Sequence, residues 1–250
     1  MIFRTVWVSW LLIWLFAFPP RVVANYAAPS FSELAEADSL FKLGKYKEQE
    51  KILLLAQEKY SAGKQYWAMV KTYPKMVRLY EATGRDDEIP QLLEEGISLG
   101  IKHLPPQEAV MGSLYMMKGE NLVSRGMLDQ GLTELRHGLT ILQHSEEYED
   151  LTWCCVDLLI THFFIDNLDS AQYYLDLGQE VCNNHLPEGH DAYPTLLDMA
   201  AMLYTKLGQF EKGLETSIQS AALQEGNLGP TLTDTIDLSN TYNTIGTTYY

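Results

Sequence analysis

Apolar residues recur at helical spacing along most of the chain, and short turns interrupt them at regular intervals. In five places an apolar helical stretch ends at a small or turn-forming residue, and a second amphipathic stretch begins directly after it. The turn residues are Gly44, Gly84, Gly126, Asp166 and Gly208, which lie 40, 42, 40 and 42 residues apart. This spacing predicts a repeated unit of two antiparallel helices, and glycine suits the left-handed conformation that ends a helix.

Residues of similar size recur at fixed distances beyond these turns. A bulky apolar side chain follows two residues after four of the turns, at Tyr46, Leu128, Leu168 and Phe210. Small residues follow at five or twelve residues, namely Gly131, Ala171 and Gly213, and Ala56, Gly96, Gly138 and Gly178. Because a small side chain lets a neighbouring helix approach closely, we expect these positions to mark the helix contacts of each unit.

The pattern resembles the tetratricopeptide repeat, in which small and aromatic residues fall at the same relative places. The stretch around Gly208 matches well, with Ala201, Tyr204 and Phe210 at the expected positions and Gly213 in place of the usual alanine. The resemblance implies an all-α fold, a right-handed α-solenoid of antiparallel helical hairpins. The array would cover 32–250, with repeats at about 32–63, 66–103, 107–145, 149–184 and 192–226 and a partial repeat at 235–250.

The second repeat departs most from this pattern. Pro74 lies inside its first helix and should end or kink it, and Asp86 replaces the aromatic residue after the turn. The spacing of 40–42 residues is longer than usual for tetratricopeptide repeats. It is similar to the repeats of kinesin light chain and to the arrays that precede CHAT-type protease domains in bacteria. An export signal at the N-terminus favours the second resemblance.

Residues 1–24 have the organisation of a secretory signal peptide. An apolar run from Thr5 to Phe18 precedes two prolines, and Val22 and Ala24 supply the small residues of a cleavage site. Cleavage after Ala24 would leave residues 25–31 as a linker and place the protein in the periplasm or outside the cell. An uncleaved anchor is the alternative, although a run of 14 apolar residues is short for a membrane span.

The chain has 18 basic and 33 acidic residues, a formal net charge of −15. Such a surface repels phosphate backbones, so nucleic acid is disfavoured as a partner. We expect most of this charge to form a solvated exterior, with attraction of basic peptides as the alternative. No second long apolar stretch appears, so we expect no transmembrane helix in the mature segment. Since the last repeat is partial, we also expect a C-terminal continuation of the same polypeptide.

Residues capable of chemistry are few. Cys154, Cys155 and Cys182 form an odd set, so we expect buried free thiols and no disulfide scaffold. Cys155 and His162 lie seven residues apart on one predicted helix face, but large apolar neighbours favour a place in the core. The loop from His185 to Asp191 groups two imidazoles and two carboxylates, but a loop between repeats lacks the fixed geometry of a metal site. We therefore expect no catalytic residue, no metal and no cofactor.

In tetratricopeptide arrays the first helices line a peptide-binding groove, and the resemblance places ten side chains of this chain there. They are Lys71, Arg78, Glu120, Trp153, Val156, Phe163, Asp198, Met202, Thr205 and Asn243. Trp153 and Phe163 are large apolar residues among polar neighbours, which is typical of peptide anchors. Packing between repeats is the alternative for each residue. The carboxylate clamp of chaperone-binding members is not supported, since Leu34 and Asp38 stand where it needs Lys and Asn.

Together these features predict a non-enzymatic scaffold that binds a protein or peptide ligand. The array would serve as the recruiting segment of a CHAT-type protease. The alternative is the ectodomain of a membrane-spanning signalling protein, such as a sensor kinase or transcription regulator. An enzyme that uses Cys155 and His162 is the alternative from a different class.

Overall fold

A computed structural model describes residues 32–187 and 189–226 and the single positions 241 and 246. The helices are α1 (Ser32–Lys42), α2 (Tyr46–Ala62), α3 (Tyr66–Val70), α4 (Thr72–Ala82), α5 (Ile89–His103), α6 (Ala109–Ser124), α7 (Leu128–Leu142), α8 (Tyr148–Phe164), α9 (Leu168–His185), α10 (Ala192–Lys206) and α11 (Phe210–Gly226). A 3-10 helix at Asp86–Glu88 precedes α5. Within these described ranges every regular element is helical, and none of the helices combines the length and apolar character needed to cross a membrane.

The described helices form five hairpins, which we number in chain order. Hairpin 1 is α1 and α2, hairpin 2 is α3, α4 and α5, hairpin 3 is α6 and α7, hairpin 4 is α8 and α9, and hairpin 5 is α10 and α11. From hairpin 3 onward the two helices of each hairpin pack along one another. Each second helix also contacts the next first helix, and α4, α6, α8 and α10 contact in succession. This stacking is that of an α-solenoid, so the predicted all-α fold is confirmed.

The five predicted turns all have a left-handed residue. The φ angles are +67° at Gly44, +69° at Gly84, +79° at Gly126, +62° at Asp166 and +75° at Gly208. In each case the next residue donates its backbone N–H to the carbonyl five residues earlier, at 2.8–2.9 Å. This bond satisfies a carbonyl that the helix end would leave unpaired. The turn positions predicted from the sequence are therefore confirmed.

The first helix of hairpin 2 is broken, as Pro74 predicts. α3 ends at Val70 and α4 begins at Thr72, with Lys71 between them. A proline ring clashes with the carbonyl of the residue four positions earlier, and for Pro74 that residue is Val70. The break therefore lies where the clash falls, and Pro74 itself is in the first turn of α4.

Close contact between α6 and α7 depends on glycine. A methyl group on Gly138 would lie 2.8 Å from the carbonyl oxygen of Gly112 and 2.9 Å from the backbone nitrogen of Met116. A methyl group on Gly131 would lie 2.9 Å from the carbonyl oxygen of Gly119. The predicted role of these small residues in helix contact is confirmed, because only glycine permits this backbone separation.

The buried side chains of the hairpins form one continuous hydrophobic cluster from α1 to α10. It includes Cys154, Cys155 and Cys182, which are free and buried as predicted. The Cys154 thiol donates a hydrogen bond to the carbonyl of Leu135 at 3.3 Å. The signal peptide, the linker at 25–31, Asn243 and most of the partial repeat lie outside the described residues, so those expectations stay predictions.

Candidate functional site

The first helices lie on one side of the stack, which we call the first-helix face. Near its N-terminal end is a cavity of about 420 Å³, which we call the N-terminal pocket. Its walls come from α1, from the junction of α3 and α4, from α6, and from the start of α8, and Gln49 of α2 also lines it. The pocket therefore joins the first helices of four consecutive hairpins.

A row of cations lines one wall of the N-terminal pocket. Lys71, Lys75 and Arg78 are spaced by four and three residues, which places them on one side of the helix. Lys71 Nζ lies 3.1 Å from Glu147 Oε1, and Arg78 Nη2 lies 3.1 Å from Asp150 Oδ1. Both pairs connect hairpin 2 with hairpin 4, so they pass across the intervening helix α6.

Two further polar contacts of the wall are also between helices. Lys75 pairs with Asp38 of α1, and the Ser113 hydroxyl of α6 donates a hydrogen bond to Asp150 of α8. Lys71 Nζ also lies 4.5 Å from the ring centroid of Trp67, in cation–π contact. Three cations of the pocket, Lys71, Lys75 and Arg78, are thus paired with carboxylates that are distant in sequence.

Gln49 differs from the other polar residues of the pocket because it is buried and unsatisfied. It is 1% exposed, and its Oε1 accepts no hydrogen bond from any described residue. Buried polar atoms are paired in most proteins, since an unpaired acceptor loses its bonds to water and gains nothing. Gln49 therefore carries an acceptor that the fold leaves unsatisfied among the described residues, next to the pocket.

A second group of ionisable residues lies further along the first-helix face, which we call the acidic row. It consists of Glu81 on α4, Glu120 on α6 and Asp157 on α8. Glu81 and Glu120 keep part of their surface in solvent but lie among many neighbouring atoms, and Asp157 is half-buried. Among the described residues none forms an ion pair or hydrogen bond with these three carboxylates.

The surroundings of the acidic row favour protonation. Partial desolvation, with the negative charge of Glu120 added, raises the pKa of Glu81 from its ordinary 4.5 to about 7, although Arg78 opposes this shift. Desolvation also raises the pKa of Glu120, again against the effect of Arg78. The pKa of Asp157 is raised well above its usual range by desolvation and then by Glu120 and Glu81. Desolvation is the largest cause for each of the three, and the charge of Glu120 adds to it at Glu81 and Asp157.

Three of the predicted groove residues lie at these two sites. Lys71 and Arg78 line the N-terminal pocket, and Glu120 belongs to the acidic row.

Asp198, another predicted groove residue, lies on α10 and accepts hydrogen bonds from Gln224 Nε2 at 2.9 Å and from the Thr241 hydroxyl at 2.8 Å. Desolvation raises the pKa of Asp198, while these hydrogen bonds oppose that shift. Asn243 lies outside the described residues.

The other predicted groove residues divide by burial. Val156 is 2% exposed and Phe163 is 8% exposed, and both pack in the core. Trp153 and Met202 are half-buried against that core, and half-buried Thr205 donates its hydroxyl hydrogen to a backbone carbonyl of its own helix. Helix α8 contacts α6, α7, α9 and α10, so little of its circumference stays open. A ligand would therefore reach Val156 and Phe163 only if their packing changed.

Several residues of the two sites were missed by sequence reasoning, among them Gln49, Lys75, Glu81 and Asp157. The spacing of Lys75 between Lys71 and Arg78 was a signal that could have been used. The carboxylates of the acidic row stand three, six and nine residues before their turns, so they shift by about one helical turn per repeat. A search at one fixed repeat position cannot find such a diagonal row.

Cys155 and His162 do not form a nucleophile and a base. They are 0% and 2% exposed, and seven residues of helix separate them by about 10 Å along the axis. Burial, with a contribution from Asp157, raises the pKa of Cys155 to about 12, and the thiolate is the nucleophilic form. Burial and then the nearby charge of Arg136 lower the pKa of His162, whose Nε2 lies 3.4 Å from Arg136 Nη2.

The histidines of the loop between hairpins 4 and 5 have structural contacts. The His185 ring stacks on Tyr148 with the centroids 3.9 Å apart, and His190 Nδ1 accepts a hydrogen bond from the Ala192 backbone N–H at 3.2 Å. In the part of the chain that the structure describes, no three His, Cys, Asp or Glu residues are grouped so that they could hold a metal ion.

Comparison with solved structures identifies the fold. The crystal structure of BtubC (BKLC) from P. vanneervenii is similar with a TM-score of 0.63 and 16% identity, over 88% of this chain and 83% of that chain. TPR-like repeats described as a kinesin light chain of Podosopora anserina are similar with a TM-score of 0.55 and 16% identity, over 78% of this chain and 95% of that one. A single-substitution form of the latter has a TM-score of 0.57. No protein-family model and no curated protein sequence matches the chain. The fold is therefore a tetratricopeptide-like α-solenoid, as the turn spacing predicts.

Proposed function

We propose that this chain is a non-enzymatic scaffold that binds a basic segment of another polypeptide on its first-helix face. The acidic row carries the proposal, because Glu81, Glu120 and Asp157 come from three first helices in contact, α4, α6 and α8, and the nearby Arg78 pairs with Asp150 instead. Like charges at one place cost free energy that a cationic ligand would relieve. The tetratricopeptide-like fold of the scaffold supports a role in protein interaction.

Because the pKa values of these carboxylates are raised, binding of a cation can be detected as a release of protons. A Lys or Arg side chain placed between these carboxylates favours their ionised form and lowers their pKa. Binding therefore releases protons near pH 7, since Glu81 has a pKa of about 7 without a ligand. By linkage, we expect affinity for a basic peptide to rise between pH 6 and pH 8.

The direct test is calorimetric titration of the chain with a blocked octapeptide of alternating Ala and Lys, in two buffers of different ionisation enthalpy. We expect binding that releases protons and that is weakened by the substitutions Glu81→Gln and Glu120→Gln together. The matched control is Glu180→Gln on α9, an exposed second-helix position that changes the same charge elsewhere. Equal loss in the control, or equal binding of a peptide with Glu in place of Lys, would show that no specific site exists.

The cellular context is a separate part of the proposal, supported by the sequence. Residues 1–24 support export with cleavage after Ala24, which N-terminal sequencing of the protein from its native source would test. The repeat spacing supports a recruiting array of a CHAT-type protease, with the ectodomain of a membrane-spanning signalling protein as the alternative. A His–Cys pair encoded downstream would favour the first, and a transmembrane helix encoded downstream would favour the second.

A further inference from the structure

His162 is a buried imidazole that belongs to neither the N-terminal pocket nor the acidic row. It lies in the last turn of α8 and is 2% exposed. Its Nε2 lies 3.4 Å from Arg136 Nη2 of α7, and its ring stacks on Tyr174 of α9 with the centroids 5.4 Å apart. Its Nδ1 is buried and has no hydrogen-bond partner among the described residues. The ring is thus enclosed between a helix of hairpin 3 and a helix of its own hairpin.

The contact with Arg136 specifies where the imidazole proton lies. A guanidinium group has donors only, so Nε2 of His162 must turn a lone pair toward it. The proton of the neutral ring is then on Nδ1, where it has no acceptor among the described residues. A second proton could be added only at Nε2, where it would point at the guanidinium and remove the acceptor. The charged ring is therefore incompatible with the contact to Arg136.

No carboxylate of the described residues offsets this conflict. Arg136 forms no ion pair with them, and burial and then the charge of Arg136 lower the pKa of His162. The titratable groups that the other neighbouring helices bring to α8 are Tyr174 of α9, Lys206 of α10, which pairs with Asp166, and Glu120 of α6, which acts on Asp157. Arg136 is therefore the charge that a proton on His162 meets.

The place of this contact determines what a proton would open. The two helices of hairpin 3 are in close backbone contact, and those of hairpin 4 pack along one another. The contact between His162 and Arg136 instead crosses the boundary between the two hairpins. Because a solenoid is held by its repeats and by nearest-neighbour interfaces, a charge at one boundary can separate two hairpins while each stays folded. Arg136 is exposed, so its guanidinium can turn away into solvent.

We propose that His162 is an acid-sensitive switch at the boundary between hairpins 3 and 4, closed while its ring is neutral and opened by a proton on Nε2. Opening turns Arg136 into solvent, admits water to the ring and releases the end of α8 from α7. The switch does not depend on the proposed ligand. It gives acid control over the distance between Glu120 on hairpin 3 and Asp157 on hairpin 4, and so over the shape of the acidic row.

Hydrogen exchange of the backbone amides at the end of α8 tests the switch in the full chain without a ligand. If the open form titrates at the ordinary pKa of 6.5 and the closed form stays neutral, opening is about tenfold more frequent at pH 5.5 than at pH 7.5. We expect the protection of these amides to fall by about this factor relative to His162→Phe at the same pH. That variant keeps a ring but does not titrate, so the comparison cancels the pH dependence of the acidic row.

Two further variants and one spectrum complete the test. His144→Gln changes an exposed histidine just beyond α7 and should behave like the native chain. Arg136→Met, at an exposed position, should reduce the acid effect, and it serves alone if His162→Phe does not fold. Nitrogen-15 spectra should show the ring proton of His162 on Nδ1 at pH 7.5. A proton on Nε2, or an acid effect as large in either His162→Phe or Arg136→Met as in the native chain, would overturn the switch.

Discussion

Among single side chains, the carboxylates of the acidic row make stability depend on pH near neutrality. Between pH 4.5 and about 7, folded Glu81 binds more protons than the unfolded chain does, because its pKa is raised from 4.5 to about 7. Stability from this group is therefore present at low pH and is lost as the pH rises through that window. Glu120 and Asp157 act in the same direction.

His162 acts in the opposite direction. Its pKa is lowered by burial and by Arg136, so the unfolded chain binds more protons below about pH 6.5 than the folded chain does. Stability from His162 is therefore lost as the pH falls below its ordinary value. The two effects therefore oppose each other between about pH 4.5 and pH 6.5.

The first prediction concerns Glu120→Gln. We expect this change to raise the melting temperature at pH 7.5. We also expect a smaller gain in stability when the pH is lowered from 7.5 to 5.5, because the change removes a charge that raises the pKa of both Glu81 and Asp157. Thermal unfolding over this pH range measures both effects. Glu180→Gln on α9 is the control and should leave the pH dependence of the melting temperature unchanged. If the melting temperature of Glu120→Gln depends on pH as steeply as that of the native chain, the three carboxylates do not interact.

At the scale of helices, hairpin 3 depends on backbone contact between α6 and α7. A larger residue at Gly138 would collide with the backbone of Gly112 and Met116, which cannot move aside as the flexible end of a side chain can. The two helices would have to move apart to accept a methyl group. The cost of such overpacking is about 1–3 kcal/mol.

The second prediction follows for Gly138→Ala. We expect a loss of about 1–3 kcal/mol in the free energy of unfolding, measured by chemical denaturation, despite the higher helix propensity of alanine. Gly63→Ala is the matched control, since a methyl group there would meet no atom closer than 3.4 Å and the backbone has φ −82°. If the two variants are equally stable, the close approach of α6 and α7 is not as described.

Hairpins 2 and 4 share a Tyr–His ring stack between the start of the first helix and the end of the second, which sequence reasoning missed. Tyr66 begins α3 and stacks on His103, which ends α5, with ring centroids 3.6 Å apart. Tyr148 and His185 form the equivalent stack in hairpin 4 at 3.9 Å. Each pair is 37 residues apart, and each histidine precedes a Leu-Pro sequence. The sequence therefore contains a signal for this stack, the His-Leu-Pro sequence 37 residues after a tyrosine, but this signal recurs only in every second repeat.

At the scale of the whole molecule, the ion pairs across the N-terminal pocket add coupling between hairpins that are not neighbours in sequence. A simple solenoid is stabilised by its repeats and by nearest-neighbour contacts. The pairs of Lys71 with Glu147 and of Arg78 with Asp150 connect hairpin 2 directly to hairpin 4. All four side chains keep some exposure to solvent, so each pair is expected to contribute about 0.2–1 kcal/mol.

The third prediction is a double-mutant cycle on one of these pairs. We expect Lys71→Met and Glu147→Gln to show a coupling free energy of about 0.2–1 kcal/mol in denaturant unfolding at low salt, and less at high salt. Lys71→Met combined with Glu180→Gln should be additive, because Glu180 is on α9 and not in the pocket. Additivity in both cycles would mean that Lys71 and Glu147 are neighbours without energetic coupling.

Features of the fold that depend on local sequence were predictable. A left-handed turn needs glycine or a residue such as Asp166, so the five turns could be located from residue identity and spacing. Pro74 breaks its helix through its own ring, and small residues mark contact positions by their size. Each of these effects acts within a few residues or within one repeat.

The burial of the predicted groove residues could be read from the sequence only in part. The resemblance indicated which helices form the first-helix face; on this face Lys71 and Arg78 line the N-terminal pocket, and Glu120 is exposed. Val156 and Phe163 are buried, because α8 is packed between neighbours on several sides. Helical periodicity marks a face of a helix but does not specify whether that face meets solvent or another helix.

The sequence by itself therefore determined the hairpins, their turns and their all-α stacking, since glycine, proline and small residues act through backbone conformation and local size. Only the tertiary structure decided which charges meet. The partners of Lys71 and Arg78 are 76 and 72 residues away, and the three carboxylates of the acidic row come from different hairpins. These contacts, and the unpaired acceptor of Gln49, depend on how far each hairpin rotates on the next, a quantity set by the packing of the whole core.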